Sequence, residues 1–76
     1  MGVSFKEVWI LRNKLKAIRM DKGFTQQEIS DLVGIDRSFY TNIELGVKNP
    51  SLLVALKIKE VLNYSDDDIF LTTNVA

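Results

Sequence analysis

The chain has 76 residues, no cysteine, no histidine and a formal net charge of zero, with 46% hydrophobic and 26% charged residues. This length allows one domain, residues 1–76, with a small hydrophobic core. The missing residue types exclude a disulfide framework, the commonest zinc ligands and the commonest general base. With no run of about 20 apolar residues and no signal-peptide pattern, a soluble cytoplasmic protein is expected, with no membrane contact.

The zero net charge argues at first against nucleic acid as a partner, because nucleic-acid-binding domains often carry a basic surplus. The charges are unevenly distributed, however. Residues 1–22 carry six Lys or Arg and two Asp or Glu, whereas residues 61–76 carry three Asp and no cation. Charge far from a bound duplex is screened by salt. The net charge therefore does not exclude DNA, and it predicts modest nonspecific affinity.

Glycine spacing divides the chain into predicted helices. Gly23, Gly34 and Gly46 are 11 and 12 residues apart, and glycine just past a periodic apolar run is a usual helix C-terminal signal. A first helix is expected over about residues 5–22, opened by a capping box at Ser4 and Glu7. Its apolar residues recur at three- and four-residue steps. They are Val8, Leu11, Leu15 and Ile18.

Capping signals place the later helices. Thr25 and Glu28 have capping-box spacing at the start of the second helix. The predicted buried face of that helix consists of Ile29, Leu32 and Val33. The third, fourth and fifth helices are expected to follow the N-cap residues Asp36, Ser51 and Ser65. The predicted fold is all-α, a compact five-helix domain with a frayed tail over residues 72–76.

Residues 25–46 form the most informative unit, two short amphipathic helices separated by a tight glycine turn. This arrangement is typical of the DNA-binding helix-turn-helix. At about 100° per residue, the outward face of the second helix of the unit carries Arg37, Ser38, Thr41 and Asn42. Arginine and asparagine can each make paired hydrogen bonds, to guanine and to adenine respectively. An ordinary solvated helix face is polar as well, so this helix alone leaves both interpretations open.

A longer pattern extends through most of the chain. Its residues are Leu15, Arg19, Gly23 to Gln26, Glu28, Gly34 to Ser38, Ile43, Glu44, Gly46, Asn49 to Leu52, Leu56 to Ile58 and Leu62. With these residues, the stretch from Leu11 to Phe70 resembles the phage repressor and Cro-like (XRE-type) helix-turn-helix family. The resemblance implies a repressor-like domain with a core over residues 11–70, an N-terminal helix extension over residues 1–10, and double-stranded DNA as the partner.

The resemblance also implies roles for individual residues. It implies base contacts by the third helix, the recognition helix, through Arg37, Ser38, Thr41 and Asn42. DNA-backbone contacts fall to Thr25, Gln26, Gln27, Phe39, Lys48 and Asn49. Gln26 is alternatively a plain first-turn polar residue, and Phe39 is alternatively packed against the second helix. Arg19 and Glu44 resemble a structural ion pair that ties the first helix to the recognition helix.

Family members commonly bind as two-fold dimers to palindromic half-sites. The candidate dimer-interface residues here are Phe70, Leu71, Leu53 and Val54, and Trp9 is expected in the core or against a partner chain. The expected function is a sequence-specific transcriptional regulator that acts as a homodimeric repressor. The alternative is a DNA-binding antitoxin or restriction–modification controller with an added protein partner.

No enzymatic activity is expected. The chain lacks histidine, cysteine and a glycine loop that would hold a phosphate, and the acidic run 66–68 reads as helix capping. Accordingly, no cofactor, metal ion or small-molecule ligand is expected.

Overall fold

The computed structural model describes residues 12–71, which form four α-helices followed by one turn of 3-10 helix. The elements are α1 (Asn13–Asp21), α2 (Gln26–Val33), α3 (Arg37–Glu44), α4 (Leu52–Leu62) and the 3-10 turn (Asp67–Phe70). The all-α class is confirmed. The predicted fifth helix is wrong in type and in its cap, because it is a 3-10 turn whose N-cap is Asp66 rather than Ser65. Asp66 makes no capping hydrogen bond, and Asp67 and Asp68 at the start of the turn are weak helix formers. The predictions for Ser4, Glu7, Val8, Trp9, Leu11 and the tail 72–76 lie outside the described residues.

The apolar stripe predicts a helix that runs through residue 12, but the backbone of that residue is not helical. Arg12 has φ −92° and ψ 71°, outside the helical region, and α1 begins at Asn13. The cause is a competing set of hydrogen bonds. The main-chain N–H of Arg12 donates to the carbonyl oxygen of Glu44 at 2.9 Å, which ties this residue to the end of α3 rather than to a preceding turn.

The start of α2 and the turn between α2 and α3 contain the predicted capping box and the predicted glycine. Thr25 accepts a hydrogen bond from the N–H of Glu28, and the Glu28 side chain accepts one from the N–H of Thr25, so the predicted capping box is present. Gly34 ends α2 in the left-handed conformation at φ 85°, which an L side chain rarely adopts. Asp36 occupies the N-cap position of α3, although its side chain makes no capping hydrogen bond.

The hydrophobic core draws on every element. It consists of Leu15, Ile29, Val33, Tyr40, Ile43, Ile58, Leu62 and Ile69. The prediction that Leu32 belongs to the buried face is wrong, since this residue is 60% exposed. The buried residues of α2 are Ile29, Ser30 and Val33, and at 100° per residue Leu32 points roughly 100° away from the centre of that face.

The fourth helix begins where the sequence predicts, directly after Ser51. The Ser51 hydroxyl accepts a hydrogen bond from the N–H of Val54 at 3.2 Å, and the helix ends at Leu62. Asn63 then adopts the left-handed conformation at φ 53° without being glycine. The segment between α3 and α4, residues 45–51, is consequently short and framed by two helix ends.

Candidate nucleic-acid interface

The outward face of α3 gathers the four predicted base-contacting residues. Arg37 and Ser38 are exposed, Thr41 and Asn42 are half-buried, and all four line one shallow depression on the surface. Their side chains offer hydrogen-bond donors and acceptors of the kinds that pair with base edges in a major groove. The structure therefore brings these four residues together as the periodicity predicted.

Gln26 has a different environment from the one expected of a free phosphate ligand. Its Oε1 accepts a hydrogen bond from the Thr41 hydroxyl at 2.9 Å, and its Nε2 donates to Glu44 Oε1 at 3.1 Å. The amide is thus shared between the outward face of α3 and a buried carboxylate. Of the main-chain N–H groups in the first turn of α2, that of Glu28 donates to the Thr25 hydroxyl, and the others lack intrahelical partners, as at any helix N-terminus.

The neighbouring residues at the start of α2 differ in how freely they can bind DNA. The Thr25 hydroxyl is used in the capping box, where it accepts from the Glu28 N–H at 3.0 Å. Gln27 is exposed, and its amide donates to Asp31 at 2.8 Å. Phe39 is half-buried and packs against the core, which is the packing alternative that the sequence left open.

Residues 48 and 49 lie in the segment that follows the recognition helix. Both are exposed, yet the Asn49 amide oxygen accepts a hydrogen bond from Arg12 Nη2 at 2.6 Å. Arg12 also donates to the carbonyl oxygens of Ile43 at 2.6 Å, Lys48 at 3.0 Å and Phe70 at 2.8 Å. Arg12 is only 4% exposed. Sequence reasoning missed this residue, because nothing in the local pattern distinguishes it from nearby surface cations.

The predicted pair of Arg19 and Glu44 is present and belongs to a larger cluster. Arg19 Nε lies 2.5 Å from Glu44 Oε2, Arg19 Nη1 donates to the Phe24 carbonyl at 2.7 Å, and the Tyr40 hydroxyl donates to Glu44 Oε2 at 2.6 Å. Both charged side chains are buried. The cluster joins the end of α1, the start of α2 and the inner face of α3.

The pKa directions follow from this arrangement. Burial, together with the neighbouring carboxylate of Glu44, raises the pKa of the Tyr40 hydroxyl, so Tyr40 stays protonated and donates. Burial alone would lower the pKa of Arg19, but its hydrogen bond and charge interaction with Glu44 raise it overall. Arg19 therefore stays positively charged across the physiological pH range.

The four candidate dimer-interface residues fall into two groups. Val54 and Phe70 are half-buried and pack against the core, whereas Leu53 and Leu71 are 61% and 68% exposed. The same surface of α4 exposes further large apolar side chains that the interface prediction did not include. They are Leu52 and Leu56.

Two other features are absent from residues 12–71. No group of three or more Asp, Glu, His or Cys side chains in this range is placed to hold a metal ion. Over the same residues, no helix has the length and apolar character needed to cross a bilayer.

Comparisons with known proteins agree with this geometry. Residues 15–69 match the helix-turn-helix family HTH_3. The chain is 44% identical over 55 residues to the HTH-type transcriptional regulator YqaF of Bacillus subtilis, with 72% of each chain covered.

Two solved structures are similar as well. The restriction–modification controller protein C.AhdI from Aeromonas hydrophila superposes with a TM-score of 0.72 at 28% identity, covering 86% of this chain and 98% of that one. The biofilm regulator SinR, solved in complex with DNA, gives a TM-score of 0.66 at 28% identity over 72% of this chain and 92% of that one. The chain belongs to the HTH_3 (XRE/Cro-like) helix-turn-helix family and is a non-enzymatic, DNA-binding transcriptional regulator of the HTH type.

Proposed function

We propose that this regulator is a repressor that acts in the cytoplasm and binds a palindromic operator as a homodimer, with α3 in the major groove. The observation that carries the proposal is the gathering of four polar side chains on the outward face of α3. Arg37 bonds guanine, Asn42 bonds adenine, and Ser38 and Thr41 contact either kind of base edge. Repression follows from occupation of the operator.

DNA-backbone contacts flank this face on both sides in the proposal. At the start of α2 they come from Thr25, Gln26 and Gln27, whose helix N-terminus attracts a phosphate. On the other side they come from Lys48 and Asn49, both exposed. Phe39 contributes at the sugar–phosphate edge with the part of its ring that the core leaves open. These contacts position the domain, whereas the base contacts select the sequence.

Self-association is proposed to use the exposed apolar side chains near the C-terminal end. Leu53 and Leu71 are the central candidates because they are largely exposed, and a small single-domain core gains stability from added apolar burial. Two subunits would address half-sites about one helical turn, roughly 34–36 Å, apart.

The test begins with selection of bound sites from random DNA, which is expected to return two inverted half-sites. Binding of the selected site is then measured across salt concentrations. The affinity should fall linearly on a log–log plot, with a slope of about −0.9 for each phosphate contact. Arg37→Ala and Asn42→Ala should each relax the preference at one base pair by about 1–3 kcal/mol. Variants that keep the sequence preference of the parent chain contradict the assignment of α3 as the base-reading helix.

The dimer is tested with two substitutions at equally exposed leucines. Leu53→Asp should weaken self-association in sedimentation experiments and operator binding with it. Leu32→Asp is the matched control, since Leu32 on α2 is 60% exposed and Leu53 is 61% exposed. If both variants associate as the parent does, α4 is not the dimer surface.

A second candidate function is control of a restriction–modification system. The observation that favours it is the similarity to C.AhdI over nearly the whole of that protein. The genes that flank the selected binding sites separate the two candidates, since a controller should bind next to genes for a nuclease and a methyltransferase.

A further inference from the structure

Arg12 is a buried cation whose hydrogen-bond acceptors come from three separate segments of the chain. The acceptors are the carbonyl oxygens of Ile43, Lys48 and Phe70 and the amide oxygen of Asn49. All four are uncharged oxygens. The guanidinium, with donors fixed in one plane, thus crosslinks the end of α3, the segment 45–51 and the 3-10 turn.

The first of these contacts closes the C-terminal end of the recognition helix. The last carbonyl groups of an α-helix lack intrahelical partners and carry the negative end of the helix dipole. Arg12 binds two of these last carbonyl groups. Its side chain donates to Ile43, which also accepts from the Gly46 N–H at 3.1 Å, and its main-chain N–H donates to Glu44 at 2.9 Å. A positive charge at this place is electrostatically favourable.

The segment 45–51 is held from two sides. The main-chain N–H groups of Val47 and Lys48 both donate to the carbonyl oxygen of Asn42, at 2.9 and 3.1 Å. Arg12 binds the opposite side of the segment through the Lys48 carbonyl and the Asn49 side chain. The backbone at Lys48 is therefore fixed relative to Asn42, and the Lys48 side chain extends from it into solvent.

We infer that Arg12 is a positioning residue for DNA binding, because it fixes the segment 45–51 so that Lys48 stands beside the base-reading face of α3. A segment that is ordered before binding does not lose that conformational freedom when the complex forms. The effect on DNA rests on the proposed function, whereas the effect of Arg12 on the segment does not depend on it.

The test uses Arg12→Lys, which keeps the positive charge and removes the planar set of donors. Together with Lys48→Ala and the double variant, it is assayed for binding to the selected operator across salt. Arg12→Lys should weaken binding about fivefold and reduce the salt slope by about one unit, the contribution of one phosphate contact. Lys48→Ala should have the same effect, and the double variant should bind no more weakly than either single variant. The control is Lys57→Ala, which removes an exposed cation from α4.

Amide hydrogen exchange separates positioning from general loss of stability. Arg12→Lys should accelerate exchange at Val47 and Lys48 well below the melting temperature. Ile58→Val shortens a side chain in the core and should lower the melting temperature without accelerating these two amides selectively. Asn49→Ala removes one acceptor at an exposed position, so it should show a smaller acceleration even if Arg12→Lys fails to fold.

The inference is overturned if Arg12→Lys keeps the parent salt slope, if its effect multiplies with that of Lys48→Ala, or if neither Arg12→Lys nor Asn49→Ala accelerates exchange at the two amides. A parent chain that selects no DNA site overturns the proposed function instead. In that event the exchange rates still decide whether Arg12 fixes the segment 45–51.

Discussion

Two arginines at opposite ends of α1 are both removed from solvent, at 4% exposure for Arg12 and 7% for Arg19, but their surroundings differ. Arg19 binds a carboxylate, Glu44, through two of its nitrogens. Arg12 binds four uncharged oxygens from three segments. Both contact the C-terminal end of α3. Arg19 binds the side chain of the last residue, Glu44, and Arg12 binds the carbonyl groups of Ile43 and Glu44.

The difference shows two ways to stabilise a buried cation. In the Arg19 site one opposite charge compensates for desolvation, so removal of either partner leaves an isolated ion in the interior. In the Arg12 site several dipoles share the compensation, and burial lowers the pKa of the guanidinium. Loss of Arg12 leaves neutral acceptors, which water can partly satisfy.

The largest expected effect comes from Arg19→Met. It leaves Glu44 buried without its cation, and breaking a buried pair in this way costs about 3–5 kcal/mol of unfolding free energy. Chemical denaturation measures the loss. Lys22→Met, which removes an exposed cation just after α1, should change the stability by less than about 0.5 kcal/mol. Equal stabilities for the two variants would show that the Arg19–Glu44 pair contributes nothing net.

Arg12→Met is expected to rank second. It removes the donor from carbonyl and amide oxygens and leaves no isolated charge in the interior. Each buried acceptor left unpaired costs about 1–3 kcal/mol. We expect a total of about 2–3 kcal/mol, since water can reach the side of the segment at Asn49, which is exposed. A loss larger than that of Arg19→Met, measured under the same denaturant conditions, would reverse the comparison.

Tyr40→Phe tests how much the Tyr40 hydroxyl contributes to the cluster around Arg19 and Glu44. It removes the hydroxyl that donates to Glu44 at 2.6 Å, a hydrogen bond to a charged group of the kind worth about 1.5–3 kcal/mol. The loss should fall at the lower end of that range, because Glu44 keeps Arg19 and Gln26 as donors. A variant as stable as the parent would mean that Arg19 and Gln26 satisfy the carboxylate without the hydroxyl.

The smallest effect is expected at an exposed ion pair. Lys14 Nζ lies 2.7 Å from Asp68, and both side chains are at least a third exposed. The hydrogen bond from Lys14, with a second from Tyr64, holds the pKa of Asp68 below its usual value. The contribution of Asp68 is thus fully present above the unfolded-state pKa and is lost as the pH falls through the folded-state pKa.

Asp68→Asn should therefore leave the chain slightly less stable at neutral pH and reduce the loss of stability on acidification below about pH 4. Melting temperatures of the variant and the parent between pH 2 and pH 7 measure this difference. Parallel curves would show that the surface pair has no effect on folding, in contrast to the buried pair of Arg19.

The same two arginines show which contacts could be predicted from the sequence and which could not. Arg19 and Glu44 could be predicted because they stand at fixed positions of a family pattern, and the caps at Thr25 and Ser51 could be predicted because they depend on neighbours three residues away. Arg12 could not, since its partners lie between 31 and 58 residues along the chain and no local spacing encodes them.

The prediction for Leu32 is wrong, and the hydrogen bonds of Gln26 could not be predicted, for related reasons. The periodicity of an eight-residue helix leaves the centre of the buried face uncertain by about one residue, so the pattern predicts a buried Leu32 where the structure buries Ser30. The family resemblance implies a phosphate contact for Gln26, which stays a prediction, but its two hydrogen bonds within the chain depend on how α2 packs against α3.

The hydrogen bond between Thr41 and Gln26 has a consequence for changing which operator is bound. Arg37 and Ser38 are exposed and have no hydrogen-bonded side-chain partner among residues 12–71, so they can be exchanged with little cost to the fold. Thr41 is joined through Gln26 to the carboxylate of Glu44, so exchanging it disturbs a buried ion. New base preferences should therefore arise first at residues 37 and 38, and at residue 41 only together with a compensating change at residue 26.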